Sequence, residues 1–159
     1  MRISEGVEWG LHCCLTLAWI GDDEPVSAPR LATWFELPPA YLSKCLQGLV
    51  RAGILSSTPG VRGGFRLARR PAEITVMDVV TAVEGPEPAF RCTEIRQQGP
   101  GVDPSAPEFR RPCAITAVMR RAELAWRREL AGQTLADLMS AAPPQAAERA
   151  QQRHRLLRG

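Results

Sequence analysis

Two pairs of side chains in this chain have the types for metal chemistry, Glu8 with His12 and Cys92 with Cys113, but only the first pair also has a spacing that brings it together locally. In a helix advancing about 100° per residue, positions four apart share a face, so the Glu8 carboxylate and the His12 imidazole can meet one ion. An exposed hydrogen-bonded pair has the same spacing, and the pattern alone does not choose between them. Cys92 and Cys113 are separated by 20 residues. That gap matches no compact zinc finger, although a long loop closes on itself at modest entropic cost. Among the other thiols, Cys14 falls on the apolar side of the first helix and Cys45 on a second helix-turn-helix element, where both suit small packed side chains. Cys13 stays open between packing and ligation. Five cysteines with no CxxC and no secretory signal argue against a disulfide framework and leave metal binding, redox chemistry or burial. His154 reads as a solvated residue. No nucleophile-base arrangement, phosphate loop or cofactor fingerprint is visible, so the chain does not read as an enzyme.

The first pair sits on a helix predicted from about Ile3 to Ile20, with Ile3, Val7, Leu11, Cys14, Leu15 and Ala18 as its apolar stripe and Glu8 and His12 beside that stripe. Gly21-Asp22-Asp23-Glu24-Pro25 ends it. From Ser27 to Leu67 the sequence reads as a helix-turn-helix followed by a β-wing. Ser27 is a candidate N-cap whose hydroxyl can accept an orphan N–H, Pro29 suits a first turn, and Leu31, Ala32, Trp34 and Phe35 give that helix its apolar side. After the turn Glu36-Leu37-Pro38, Pro39 can open a second helix with Leu42, Leu46, Leu49 and Val50 inward. Gly53 suits the position just past its end. Ile54 to Thr58 and Phe65 to Leu67 then read as strands joined by the turn PGVRGG, with Arg62 at the tip.

Charge favours duplex DNA as the partner of this segment. Between Ser27 and Arg70 seven basic residues face one acidic residue, Glu36, a local charge of +6 in a chain whose formal total is +3. Tyr41, Ser43, Lys44 and Gln47 lie off the apolar stripe, where they can reach base edges or phosphates in the major groove, and Arg62 can enter the flanking minor groove. Ser27, Arg30, Arg51 and Arg66 complete the candidate DNA-binding set. A solvated helix face, or a winged helix used for protein contacts, shares this grammar.

Thr75 can cap a helix from Val76 to Glu84, stopped by Gly85-Pro86. The next 28 residues, Gly85 to Pro112, carry three glycines and six prolines and show no clear element, a length that in a small domain is usually functional or disordered. Cys92 lies near its start, and Cys113 directly follows it. Ala114 to Ala131 follows as a long amphipathic helix with Ile115, Val118, Met119, Ala122, Trp126 and Leu130 on one side, suited to dimerisation. Thr134 to Met139 can add a further turn or two. Trp9, Trp19, Trp34 and Trp126 read as packing residues, and Trp9, as a neighbour of Glu8, can also shield a metal group. The end of the chain, with Arg149, Arg153, Arg155 and Arg158, reads as a frayed helix or disordered tail. No apolar run approaches the roughly 20 residues that span a bilayer, which with the missing signal pattern predicts a cytoplasmic protein without membrane partners.

Several stretches together resemble one family. RISEGVEWGLHCC, LPPAYLSKCLQGLVRAGIL, PGVRGGFRL, EITVMDVVTAVEG and PAFRCTEIRQQGP are similar to the Rrf-type winged-helix transcription regulators, whose members include IscR and NsrR. The resemblance covers roughly residues 1 to 140 and implies a mainly α homodimer with a small β-wing that carries an iron-sulfur cluster in many branches. Members with clusters commonly place three cysteines in the loop, whereas only Cys92 and Cys113 are available here. The similarity is greatest to the RsrR redox-sensing branch. It implies a 2Fe-2S cluster held by Cys92 and Cys113 of one subunit and by Glu8 and His12 of the other, with the oxidised form binding DNA more tightly. Two Cys, one His and one Glu are also acceptable zinc ligands. Without a cluster, Cys92 and Cys113 can act as a thiol switch, or the loop can take another effector. On this reading residues 1–84 form the winged helix-turn-helix domain, 85–113 the cluster-binding loop, 114–141 the dimerisation region and 142–159 a flexible basic tail.

Overall fold

The computed structural model describes residues 3–21 and 24–157; Asp22 and Asp23 of the expected first turn lie outside the described residues. Seven helices and one hairpin are present among them. Contacts divide the chain into two units, one of residues 87–129 and one of the residues before and after that segment.

In the larger unit, α1 (Glu5–Ile20) is the central helix, packed against five other elements. Its buried side is wider than a single stripe and includes Gly6, Val7, Gly10 and the whole run Cys13 to Leu17. Ile3, expected on that stripe, precedes the helix and is 44% exposed. The glycines permit close approach: a Cβ on Gly10 would meet Val79 and Cys45 at 3.3 and 3.5 Å.

The helix-turn-helix consists of α2 (Ala28–Phe35) and α3 (Pro39–Arg51). Ser27 stands at the N-cap of α2, but its hydroxyl makes no capping hydrogen bond. Pro29, at the second helical position, has removed one of the two N–H groups that such a hydroxyl usually serves. Glu36 ends α2 in the left-handed region, φ 54°. At the end of α3, Gly53 (φ 67°) donates to Val50 O and Ile54 donates to Leu49 O, the paired bonds of a Schellman motif. The first strand starts one residue later than expected, β1 running Leu55–Thr58 and β2 Gly64–Leu67, antiparallel with Leu55 opposite Leu67, while the Ile54 carbonyl still accepts from Ala68 N at 2.9 Å just beyond the ladder.

Two constraints aim the wing. Val26 and Phe65 exchange both backbone hydrogen bonds, at 2.9 and 3.0 Å, tying β2 to the residues just before α2. Side chains are excluded at the turn: a Cβ on Gly63 would overlap the Thr58 carbonyl oxygen, and one on Gly64, at φ 152°, would overlap the Val26 carbonyl.

Helix α4 (Val76–Glu84) starts at the expected cap, Thr75, which with Asp78 forms a capping box: Thr75 Oγ1 accepts from Asp78 N at 3.0 Å and the Asp78 carboxylate accepts from Thr75 N at 2.9 Å. An equivalent box at Thr134 and Asp137 starts α6 (Leu135–Ala141). The segment expected as a flexible basic tail is instead a helix, α7 (Ala146–Leu157), packed on α1. Ala150 and His154, four residues apart, form its buried face, so His154 is 6% exposed rather than solvated.

The smaller unit contains the Gly/Pro-rich segment, which holds only two short 3₁₀ turns (Ile95–Gln97 and Pro107–Arg110), and most of α5 (Ala114–Ala131). Of the residues of α5 only Thr116 is buried, whereas Ile115 and Val118 are 65% and 52% exposed.

Candidate functional site

On α3 the polar residues face outward as expected. Tyr41, Lys44, Gln47 and Arg51 are exposed and Ser43 is half-buried, while Leu42, Cys45, Leu46 and Leu49 face the core. Tyr41, Lys44 and Arg51 border a cleft closed by Ser4 and by Ala82, Val83 and Glu84 of α4. Arg62 is fully outside on the wing turn beside Val61, and Arg30 and Ser27 are half-buried near the start of α2. Arg66 on β2 is half-buried, and among the described residues its Nε has no hydrogen-bond partner.

Helix α1 reaches this surface directly. The Trp9 ring meets Tyr41 edge-on, with centroids 5.1 Å apart, and the Cys45 thiol donates to the Gly6 carbonyl at 3.3 Å. Between these two contact residues and one turn beyond them, Glu8 and His12 face solvent along an open groove with Ile3, Ser4, Glu5, Val7 and Leu11. Neither makes a side-chain hydrogen bond among the described residues. The His12 ring instead lies 5.9 Å from Phe35 of α2.

Cys92 and Cys113 belong to the smaller unit. Cys113 immediately precedes α5 and is buried, and the backbone N–H groups of Thr116 and Ile115 donate to its sulfur. Those hydrogen bonds first, and the Arg96 charge after them, hold the Cys113 thiol below its ordinary pKa, which favours the thiolate. Cys92 is exposed; its thiol donates to Glu94 Oε1 at 3.5 Å and its sulfur accepts from Glu94 N at 3.4 Å. Arg96 joins the two ends. It donates to Glu94 Oε2 at 2.8 and 3.1 Å and to the Arg111 carbonyl at 3.4 Å, and its guanidinium lies 5.5 Å from the Phe109 ring centre. Sequence reading missed both charged residues, although their position inside CTEIRQ, directly after Cys92, was the available signal.

The other three thiols are packed. Cys13 and Cys14 are fully buried and Cys45 is 6% exposed. Burial pushes Cys13 up to about 12 and Cys45 up to about 11, and Cys14 higher still, so all three remain protonated thiols at neutral pH. Cys13, left open on the sequence, is a core residue. Among the described residues no three His, Cys, Asp or Glu side chains of one chain gather around a common point. Of the four expected ligands, Glu8 and His12 belong to the larger unit and Cys92 and Cys113 to the smaller.

The family model described as Rrf2, iron-dependent transcriptional regulator, matches residues 3–141. The chain belongs to the Rrf2 family. Protein rrf2 of Nitratidesulfovibrio vulgaris is 32% identical over 139 residues, covering 87% of each chain, and protein aau3 of Rhizobium meliloti is 34% identical over 144 residues, covering 90% of this chain and 88% of its own. The structure of CymR, the global cysteine regulator of B. subtilis, is similar with a TM-score of 0.67 at 26% identity, over 90% of this chain and 99% of that one. The T. potens IscR structure shares the fold, with a TM-score of 0.66 at 23% identity over 92% and 91% of the two chains. This Rrf2-family chain is a winged-helix transcriptional regulator rather than an enzyme, and no described helix is long and apolar enough to cross a membrane. The family match ends at residue 141, before α7.

Proposed function

We propose that this regulator acts as a cytoplasmic homodimer that binds double-stranded DNA and senses redox state through a 2Fe-2S cluster, in the manner of the RsrR branch. Cys92 and Cys113 of one subunit and Glu8 and His12 of the other would hold the cluster. The observation that carries this reading is the Glu8 and His12 pair on α1, exposed one turn apart along an open groove and making no side-chain hydrogen bond among the described residues, so that both stay available to a metal group. The donor chemistry fits, because Cys113 sits at a helix N-terminus that favours its thiolate, and thiolate, imidazole and carboxylate are all competent iron ligands. When bound, such a cluster supplies a one-electron redox couple, and replacing two thiolates by imidazole and carboxylate raises its potential. The exposed apolar residues Ile115 and Val118 of α5 give the subunits a surface to bury against each other.

For DNA, Tyr41, Ser43, Lys44, Gln47 and Arg51 of α3 enter the major groove, Arg62 reaches the minor groove, and Ser27, Arg30 and Arg66 contact the backbone. Glu8 and His12 flank Trp9, which packs on Tyr41, so displacement of α1 is felt at the reading helix within one contact. A second reading keeps DNA binding and uses Cys92 and Cys113 as a reversible thiol pair. The lowered pKa of Cys113, set by the hydrogen bonds to its sulfur, favours it.

The test is a mixed dimer. His12→Ala and Cys113→Ala subunits are each defective as homodimers, but a purified, doubly tagged heterodimer contains one intact site if ligands come from both subunits. After anaerobic reconstitution, about half the wild-type visible absorbance is expected. A signal no greater than that of either mutant homodimer rules the arrangement out.

A further inference from the structure

We propose that Arg96, together with Glu94, is the positioning pair that gathers Cys92 and Cys113 into one two-thiol site and sets the charge around their sulfurs. The inference rests on the reading of those cysteines as partners. The segment between them contains Gly99, Pro100, Gly101 and Pro104 and only two short 3₁₀ turns, so regular backbone bonding does little to bring its ends together. Side chains supply the closure. Glu94 holds Cys92 through both its carboxylate and its backbone N–H, and Arg96 grips the same carboxylate. From there the Arg96 guanidinium reaches the far end of the segment, donating to the carbonyl of Arg111, two residues before Cys113, and lying against Phe109. One planar cation thus ties residues 92–96 to residues 109–113. A lysine ammonium lacks the fork and the flat face that these simultaneous contacts use. Glu94 adopts a left-handed backbone, φ 48°, an uncommon conformation for a non-glycine that persists where its surroundings hold it.

The two residues also carry opposite charges beside the sulfurs. Arg96 compensates thiolate charge, and Glu94 opposes it next to Cys92. The pair therefore has an electrical role separable from its mechanical one. A residue that merely stiffened the loop would not have both.

The test uses the full chain, reduced and metal-free, titrated with cadmium and followed by the thiolate-to-cadmium charge-transfer absorbance, with Cys113→Ala as the background. Arg96→Gln should weaken cadmium binding at least tenfold, and Arg96→Lys should recover only part of the loss. In protein reconstituted with iron and sulfide, the midpoint potential should move down in Arg96→Gln and up in Glu94→Gln. Cadmium affinity unchanged in Arg96→Gln overturns the proposal, and so do potential shifts of the same sign in the two variants. If wild type binds cadmium through Cys113 but assembles no iron-sulfur centre, the cluster assignment fails, and the cadmium series still decides for or against Arg96.

Discussion

Trp9 and Tyr41 meet edge to face with their ring centres 5.1 Å apart, joining the helix that carries Glu8 and His12 to the helix that presents the basic reading surface. Aromatic pairs in this geometry contribute about 0.5–1.5 kcal/mol beyond the area they bury. A double-mutant cycle of Trp9→Leu and Tyr41→Leu, read by urea unfolding, should return a coupling energy in that range. Additive effects would mean that the two helices touch here without being coupled.

On the reading surface, Lys44→Ala and Arg62→Ala should each weaken operator binding while leaving secondary structure and visible absorbance intact. Loss of a base contact relaxes specificity at one position by about 1–3 kcal/mol, whereas loss of a phosphate contact lowers affinity for all sequences and flattens the salt dependence. Fluorescence anisotropy across a salt series separates the two, and wild-type binding by both variants would remove the assignment.

The cysteines should divide by position. Cys92→Ala and Cys113→Ala are expected to lose bound iron and sulfide after reconstitution, and Cys13→Ala, Cys14→Ala and Cys45→Ala to retain them at some cost in stability. A full cluster in Cys92→Ala would show that the wrong thiolates had been chosen.

The buried thiols also predict an alkaline limit. Their folded pKa values, about 12 for Cys13 and about 11 for Cys45, lie above the unfolded value of about 8.5. Their contribution to stability is therefore complete below pH 8.5 and is lost as the pH rises towards the folded values. Urea midpoints should fall over that window, and fall less in Cys13→Ala. A midpoint independent of pH between 8.5 and 10.5 would contradict the burial.

Close approach of α3 to α4 depends on one missing side chain. A Cβ on Gly48 would lie 2.8 Å from the Ala82 carbonyl oxygen, a backbone atom that cannot swing aside. Gly48→Ala should cost about 1–3 kcal/mol, as overpacked contacts do. A thermal melt matching wild type would show that the two helices can separate without penalty.

Local rules made most of the fold legible. The ends of α4 follow from Thr75 and Gly85, and the Schellman motif at Gly53 follows from a glycine placed just past the helix. Helix α7 was not legible in the same way, because its sequence is largely polar and its buried residues, Ala150 and His154, acquire meaning only against α1. The Ser27 cap failed for a reason already visible two residues later, in Pro29. At the candidate site, residue types and helix spacing singled out Glu8 with His12 and Cys92 with Cys113 only as open possibilities; joining them into one ligand set is what the family resemblance implies. The contacts of Arg96 with Glu94, Arg111 and Phe109 depend on how an irregular loop folds back, which no periodicity encodes.

The double backbone bond between Val26 and Phe65 limits how this molecule can respond to any signal. The wing hangs from the entrance of α2, and α2 is packed on α3, so the hairpin cannot swing without surrendering two buried-side hydrogen bonds and the tight fit at Gly64. Tied in this way, the wing moves with the helix-turn-helix as one piece. Regulation in such a protein is a question of where the grip is held, not of how tightly its fingers close.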